Sequence, residues 1–229
     1  MQTQHLLIHD IPAILYGEPS TRGYLFFHGQ MGCKEEAESF ARTVCSRGCQ
    51  VLSIDLPAHG ERRDRGEALL PWTAVPDILA ARDWALRRWN SYSIRATSIG
   101  AYFAMLALDN PSRALFLSPI VDMEGLILTM MTWAGVTEDD LKTQGEIATS
   151  FGQTLSWRYL CWVREHPVHT WTCPTAVLYG SLDSMTPRRT VEEFSRQHHA
   201  DLTVVEGAEH WFHTPAQLSA LQRWEERFC

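Results

Sequence analysis

Short apolar runs alternate with longer segments of helical spacing along most of this chain. Continuous apolar runs are typical of strands covered on both faces of a sheet, and apolar residues three or four apart are typical of helices. The predicted strands are 5–8, 11–15, 24–27, 50–54, the run ending at Thr97, 114–117, 175–179 and 202–205. The predicted helices are 34–47, 73–89, the segment from Ser98 to 109, 188–197 and 215–227. This alternation predicts an α/β fold with a mostly parallel central sheet that is covered on both faces.

One segment interrupts the alternation between residues 122 and 166, where the pattern is helical or irregular and no strand is clear. Thr137 followed by Asp140 has the spacing of a capping box, which predicts a helix start there. The segment is rich in Met and Trp and too structured to be a linker. We therefore interpret 122–166 as a small helical cap inserted within a single domain that spans 1–229.

A short motif links the run ending at Thr97 to the apolar helix behind it. Ala96, Ser98 and Gly100 form a small-x-Ser-x-Gly pattern, a variant of the Gly-x-Ser-x-Gly nucleophile elbow. Such an elbow requires small residues around a strained serine, and it exposes the hydroxyl beside the N-terminus of a helix. The motif alone is weak, because a strand-to-helix turn capped by an ordinary serine has the same appearance.

The residues that follow the other predicted strands make the pattern specific. Gly180 precedes Asp183 after one strand, and Gly207 precedes His210 after the last one. In an open parallel sheet the carboxyl ends of the strands are where chemistry gathers. Serine, aspartate and histidine therefore follow three strands in the order of a nucleophile, an acid and a base.

On these residues the chain resembles the α/β-hydrolase-fold enzymes of the serine-esterase type, over essentially its whole length. The matching motifs are His28-Gly29, Asp55-x-Pro57-x-His59-Gly60, the elbow at Ser98, Gly180-x-x-Asp183 and Gly207-x-x-His210. The resemblance implies a Ser98–His210–Asp183 triad and an oxyanion hole made by the backbone N–H groups of Gln30 and Ile99. It also implies that no cofactor and no metal is used. The departure is Ala96, which stands where the fingerprint has glycine but is still small.

Several polar residues compete for these roles. His213 lies three residues after the proposed base, and Asp122 also follows a strand and is a second candidate for the acid. His28 and His59 lie in His-Gly loops, where a structural hydrogen-bonding role is expected. Glu209 is expected to be exposed or to bind a local partner. We assign the base to His210 and the acid to Asp183 on the spacing of the motifs.

The reaction that this pattern predicts is hydrolysis of a small-molecule carboxylic ester with a small or medium acyl group. Thioester, lactone or carbon–carbon bond hydrolysis and acyl transfer would use the same residues, and a non-catalytic binding protein is the alternative of another class. A haloalkane dehalogenase is disfavoured because its nucleophile is a carboxylate. We predict an apolar substrate pocket, since ligand sites are mostly apolar. Its predicted lining residues are Met31, Met130, Trp157 and Trp211.

Composition narrows the class further. The chain has 229 residues and a net charge of -7, with no basic block, so nucleic acid is not an expected partner. No apolar run has the length of a membrane span, and the first residues do not resemble a signal peptide. The six cysteines lack paired spacing, which favours a reducing cytoplasm over a disulfide framework. The oligomeric state is left open.

Overall fold

The computed structural model of the protein describes residues 1–168 and 171–229. The strands within these residues are β1 (Thr3–Ile8), β2 (Ile11–Tyr16), β3 (Arg22–Phe27), β4 (Gln50–Ile54), β5 (Ser91–Thr97), β6 (Ala114–Leu117), β7 (Glu146–Ala148), β8 (Thr154–Ser156), β9 (Thr175–Gly180) and β10 (Asp201–Val205). The α-helices are α1 (Ala37–Cys45), α2 (Pro71–Leu86), α3 (Ile99–Ala107), α4 (Met123–Ala134), α5 (Glu138–Gln144), α6 (Trp157–Glu165), α7 (Arg188–Gln197) and α8 (Pro215–Phe228).

Eight of these strands form one sheet, in the order β1-β2-β4-β3-β5-β6-β9-β10. β1 pairs antiparallel with β2, and β2 pairs antiparallel with β4, whereas every pair from β4 to β10 is parallel. The crossovers between parallel strands are the helices that the sequence predicts. The mostly parallel sheet is therefore confirmed.

Helices cover both faces of this sheet, and the side chains of β3 show how the two layers are separated. Phe26 packs with Phe40 of α1 and Trp224 of α8 in one core. Leu25 and Phe27 belong to the core on the other face, which includes the buried residues of α2 and α3. Successive residues of a strand point to opposite faces. A strand between two apolar layers must therefore be apolar at consecutive positions, as β3 is.

Residues 122–166, here called the inserted segment, lie between β6 and β9 in the chain. They form α4, α5, a two-stranded antiparallel sheet of β7 and β8, and α6. The prediction of no clear strand is wrong at this hairpin, because each strand is only three residues long and too short to show a period of two. The predicted capping box is confirmed: the Thr137 hydroxyl accepts from the Asp140 N–H, and the Asp140 carboxylate accepts from the Thr137 N–H.

No helix in the described part of the chain is long and apolar enough to cross a membrane.

Candidate active site

Ser98 lies at the turn from β5 into α3, and the backbone there is strained. Its φ is 53° and its ψ is -122°, a left-handed conformation that a side chain rarely adopts. Gly100 explains how the turn is held: a Cβ at this position would lie 2.4 Å from the carbonyl oxygen of His28. The elbow therefore packs against the end of β3, and only glycine allows that contact. The sequence indicates small residues around the serine, and at Gly100 the structural reason is this contact with the end of β3.

The loops that carry Asp183 and His210 meet in a similar way. A Cβ on Gly180 would lie 2.4 Å from the carbonyl oxygen of Ala208, so glycine lets the end of β9 touch the loop after β10. The Asp183 side chain is buried, and its Oδ1 accepts hydrogen bonds from the N–H groups of Met185 and Thr186 at 2.8 and 3.2 Å. These bonds fix the carboxylate and leave its second oxygen free to face the histidine.

The three side chains form a continuous hydrogen-bonded chain. Nδ1 of His210 is 2.7 Å from Oδ2 of Asp183, and Nε2 of His210 is 2.8 Å from Oγ of Ser98. Because a carboxylate can only accept, Nδ1 carries the proton, and Nε2 is left to accept from the serine hydroxyl. This arrangement suits the removal of a proton from Ser98.

The two residues predicted to form the oxyanion hole, Gln30 and Ile99, line the same cavity as Ser98. A Cβ on Gly29 would be 3.3 Å from the Cβ of Ser98, which places the loop after β3 against the elbow. The N–H groups of Gln30 and Ile99 donate to no backbone or side-chain acceptor in residues 1–168 and 171–229. Ile99 is also the first residue of α3, where the partial positive charge of the helix lies.

Ser98 opens into a cavity of about 750 Å³. The body and the inserted segment both contribute to its wall, and most of its accessible surface is apolar. The apolar lining consists of Met31, Ala58, Ala68, Leu69, Leu70, Ile99, Ile120, Met123, Leu126, Ile127, Met130, Leu155 and Met185. The polar lining besides Ser98 consists of Gln30, His59, Arg63, Glu146, Gln153, Thr154, Ser156 and Tyr159.

Two of the four predicted pocket residues contribute to this wall, and two do not. Met31 and Met130 line the cavity. Trp157 instead packs at the start of α6, with the Lys142 ammonium 5.9 Å from its ring. Trp211 is 74% exposed and stacks on His213. Both tryptophans were expected in the wall as large apolar residues, but the ring of Trp157 lies near Lys142 and that of Trp211 stacks on His213.

The residues that compete for the roles of acid and base make other contacts. Asp122 is the N-cap of α4, where its Oδ1 accepts from the Gly125 N–H at 2.9 Å. Nδ1 of His213 is 2.8 Å from the carbonyl oxygen of Trp211. Glu209 accepts from the Gln217 side chain, and this bond holds the pKa of the glutamate below its usual range. None of these three residues takes part in the Ser98–His210–Asp183 chain within the described residues.

Sequence reasoning missed the polar groups that the β7–β8 hairpin contributes to the cavity wall, which are Glu146, Gln153, Thr154 and Ser156. Residues 154–156 read polar-apolar-polar, and Glu146 begins the facing strand on the other side of a turn at Gly152, where φ is 83°. The turn residue Gly152 was the available signal. Tyr159, three residues after the end of β8, has a buried hydroxyl with no partner in the described chain. Burial, followed by the neighbouring Tyr102 phenol, raises the pKa of Tyr159.

No group of three or more His, Cys, Asp or Glu side chains in residues 1–168 and 171–229 is arranged to hold a metal ion.

Solved structures with the same architecture include esterases and other hydrolases. Est1E from Butyrivibrio proteoclasticus, with ferulic acid bound, matches with a TM-score of 0.77 at 19% identity, over 98% of this chain and 97% of that one. Alpha/beta hydrolase domain-containing protein 10 from mouse has a TM-score of 0.75 at 13% identity, over 99% and 98%. The Pyrococcus furiosus esterase PF2001 has 0.66 at 15% identity, over 99% and 87%.

A scan against protein-family models found no match, and a search of curated proteins found no significant one. The likeness to solved structures is therefore one of fold, at identities of 19% or less in the three cases above. It extends over nearly the whole of this chain. The chain has the α/β-hydrolase fold, as its resemblance in sequence predicts.

Proposed function

We propose that this chain is a serine hydrolase that cleaves carboxylic esters of small to medium acyl groups. The observation that carries this proposal is the hydrogen-bonded chain from Asp183 through His210 to Ser98, which opens at a largely apolar cavity. A pocket that only binds a ligand has no need of a serine hydroxyl aligned with a neutral imidazole. The esterases among the structural neighbours are consistent with the same chemistry.

In the first half of the reaction, Oγ of Ser98 attacks the ester carbonyl while Nε2 of His210 takes its proton. Asp183 keeps the imidazole in the required tautomer and stabilises its protonated form. The N–H groups of Gln30 and Ile99 donate to the oxyanion as it develops, and one such donor is typically worth about 3 kcal/mol. His210 then gives its proton to the departing alcohol, which leaves an acyl-serine.

In the second half, a water molecule takes the place of the alcohol. His210 removes a proton from this water, and the resulting hydroxide attacks the acyl-serine carbonyl. The same two N–H groups stabilise the second oxyanion. When this intermediate collapses, the proton on His210 returns to Ser98 and the carboxylic acid is released.

The cavity indicates the size and polarity of the acyl group. Its volume of about 750 Å³ lies in the usual range for small-molecule sites. The apolar wall, which includes Leu126, Ile127 and Met130, suits an aliphatic or aromatic acyl group. Ferulic acid, an aromatic acid, is bound by the neighbour Est1E, so hydroxycinnamate esters belong beside aliphatic esters among the substrates to be tested.

The proposal is tested by labelling and by kinetics together. A fluorophosphonate probe should modify Ser98, identified by mass spectrometry of the labelled peptide. Ser98→Ala should abolish labelling and lower kcat for p-nitrophenyl esters by roughly four to six orders of magnitude. Ser39→Ala, on the exposed surface of α1, is the matched control and should be labelled and active like the parent.

Two further variants test the acid. Asp183→Asn should lower kcat by roughly four orders of magnitude through the wrong imidazole tautomer. Asp122→Asn should leave kcat nearly unchanged, because Asp122 caps a helix. Labelling of another serine with Ser98 untouched would refute the nucleophile. A larger loss from Asp122→Asn than from Asp183→Asn would refute the assignment of the acid.

A further inference from the structure

Two histidines join the loop after β3 to the loop after β4 in a reciprocal way. His28, on the first loop, accepts at Nε2 from the N–H of Leu56 on the second loop, at 3.0 Å. His59, on the second loop, accepts at Nε2 from the N–H of Met31 on the first loop, also at 3.0 Å. Both rings are buried, and their centroids are 5.3 Å apart. We call these two residues and their backbone partners the histidine link.

The protonation state of His59 follows from its partners. Its Nδ1 is 2.8 Å from the carbonyl oxygen of Pro57, which can only accept, so Nδ1 carries a proton. The Met31 N–H can only donate, so Nε2 carries none. His59 is therefore a neutral imidazole whose two ring nitrogens are both engaged by backbone groups.

The residues that this link holds are strained. Met31 has a φ of 67° and Ala58 a φ of 64°, and neither is a glycine. The Met31 side chain is 82% exposed, so packing of that side chain does not hold its backbone in the left-handed region. The bond to His59, with the adjacent turn in which the Gly32 N–H donates to Gly29, is what opposes relaxation of this backbone.

Met31 directly follows Gln30, whose N–H we propose as an oxyanion donor. The Met31 N–H belongs to the rigid Gln30–Met31 peptide plane, which meets the plane carrying the Gln30 N–H at the Cα of Gln30. Movement of the first plane therefore displaces the second. On this basis, and resting on the proposed function, we propose that His59 is a positioning residue: its hydrogen bond to Met31 aims the Gln30 N–H at the oxyanion. His59 itself touches neither Ser98 nor His210 through any hydrogen bond of the described residues.

This role predicts a loss confined to the transition state. Without the bond, the loop no longer holds the Gln30 donor in place. Because His59 also lines the cavity, its replacement changes that part of the wall as well. Loss of a whole oxyanion donor costs roughly 100- to 1,000-fold in kcat, so partial misalignment should cost roughly 10- to 100-fold. Loss of the donor itself should leave KM little changed, because the ground-state ester does not depend on it. A change in KM from the altered wall is a separate effect, which the inhibition constant of an oxyanion-forming ketone distinguishes from loss of the donor.

The experiment compares His59→Leu, which removes the acceptor, with His59→Gln, whose amide oxygen can accept from Met31 while its NH₂ donates to Pro57. His59→Leu should lower kcat for p-nitrophenyl butyrate 10- to 100-fold, and His59→Gln should recover most of it. The inhibition constant of a trifluoromethyl ketone, which places an oxyanion in the same hole, should rise in parallel with the loss of kcat. His5→Leu, on the exposed surface of β1, is the matched control and should match the parent in both.

Amide exchange gives a readout that needs no variant. In the parent protein labelled with ¹⁵N-methionine, the Met31 amide should exchange slowly despite its exposed side chain. An exchange rate equal to that of an unstructured peptide would overturn the proposal. So would a folded His59→Leu variant with the parent's kcat and ketone affinity, or a His59→Gln variant no better than His59→Leu. If the parent itself neither hydrolyses esters nor reacts with a fluorophosphonate, the proposed function fails, whereas the hydrogen bond is still judged by the exchange of Met31.

Discussion

Some polar side chains around the site are buried, and their protonation affects the free energy of unfolding. His28 is fully buried, and burial lowers its pKa from 6.5 to about 4, against the opposing effect of its bond to the Gly29 carbonyl. The neighbouring groups His59 and Asp55 act on it with opposite signs. The folded protein therefore favours the neutral form of the His28 imidazole.

The pH dependence of stability should report this residue. Between pH 6.5 and about 4 the unfolded chain binds a proton at His28 and the folded protein does not, so stability falls as the pH drops through this window. Above pH 6.5 the stability that depends on neutral His28 is fully present. The difference between the unfolded and folded pKa of His28 corresponds to roughly 3 kcal/mol in the free energy of unfolding. Only part of this loss is observed if the lowest pH measured lies above the folded pKa. Urea unfolding of the parent and of His28→Gln at pH 7.0, 5.5 and 4.5 should show curves that converge toward acid pH.

His213→Gln, at an exposed histidine, is the control for that measurement and should give a curve parallel to the parent. Parallel curves for His28→Gln as well would contradict the lowered pKa of His28.

At this scale the sequence predicted well where short motifs follow strand ends. Ser98, Asp183 and His210 are brought within hydrogen-bonding distance because each lies on a short loop whose conformation is decided locally, by Gly100 and Gly180 among others. Their catalytic roles stay predictions until the labelling experiment. The hydrogen bonds of His59 were not predicted in detail, since they join loops 28 residues apart in the chain.

At the scale of elements, the inserted segment decides what the cavity can hold. α4 supplies Met123, Leu126, Ile127 and Met130 to the wall, a spacing of three or four residues that marks one face of the helix. The hairpin of β7 and β8 supplies the facing polar groups. The sequence predicted the helical part and missed the hairpin, because three-residue strands give too few positions for a period of two to be seen.

Acyl selectivity should follow the residues that line the cavity. Met130→Ala enlarges the cavity and should shift the preferred p-nitrophenyl ester to a longer acyl chain. For the chain lengths most affected, kcat/KM should change by roughly 10- to 200-fold. Trp157→Ala is the matched control, since Trp157 belongs to the same segment but does not line the cavity. It should lower the melting temperature and leave the chain-length profile unchanged.

Melting curves must accompany both variants, because truncation of a packed side chain costs stability in either case. If folded Met130→Ala kept the parent's chain-length profile, selectivity would not come from α4. If Trp157→Ala shifted the profile as far as Met130→Ala, the packing of the whole segment, and not its lining residues, would set selectivity.

At the scale of the molecule, one buried ion pair joins the centre of the sheet to the last helix. Nε of Arg95 on β5 donates to Oε1 of Glu225 on α8 at 2.8 Å, and both residues are 3% exposed. Arg95 also donates from Nη1 to the Thr97 hydroxyl. Burial raises the pKa of Glu225, and Arg95 opposes that rise. The sequence gives no sign of this pair, because its members are 130 residues apart and each alone resembles a surface charge.

Replacing only one member of this ion pair should therefore destabilise the protein more than replacing both. Arg95→Leu leaves the Glu225 carboxylate buried without its cation and should cost about 3–5 kcal/mol in the free energy of unfolding at pH 7. The double variant Arg95→Leu/Glu225→Leu should recover most of that loss, since two apolar side chains can fill the space between β5 and α8 without a buried charge. Urea unfolding of the parent, both single variants and the double variant gives the coupling energy. The cost of Arg95→Leu should also shrink as the pH falls, because a protonated Glu225 no longer needs the cation. An Arg95→Leu variant within 1 kcal/mol of the parent at pH 7 would show that α8 is held by its apolar contacts with the sheet, through residues such as Trp224, and that the ion pair adds little.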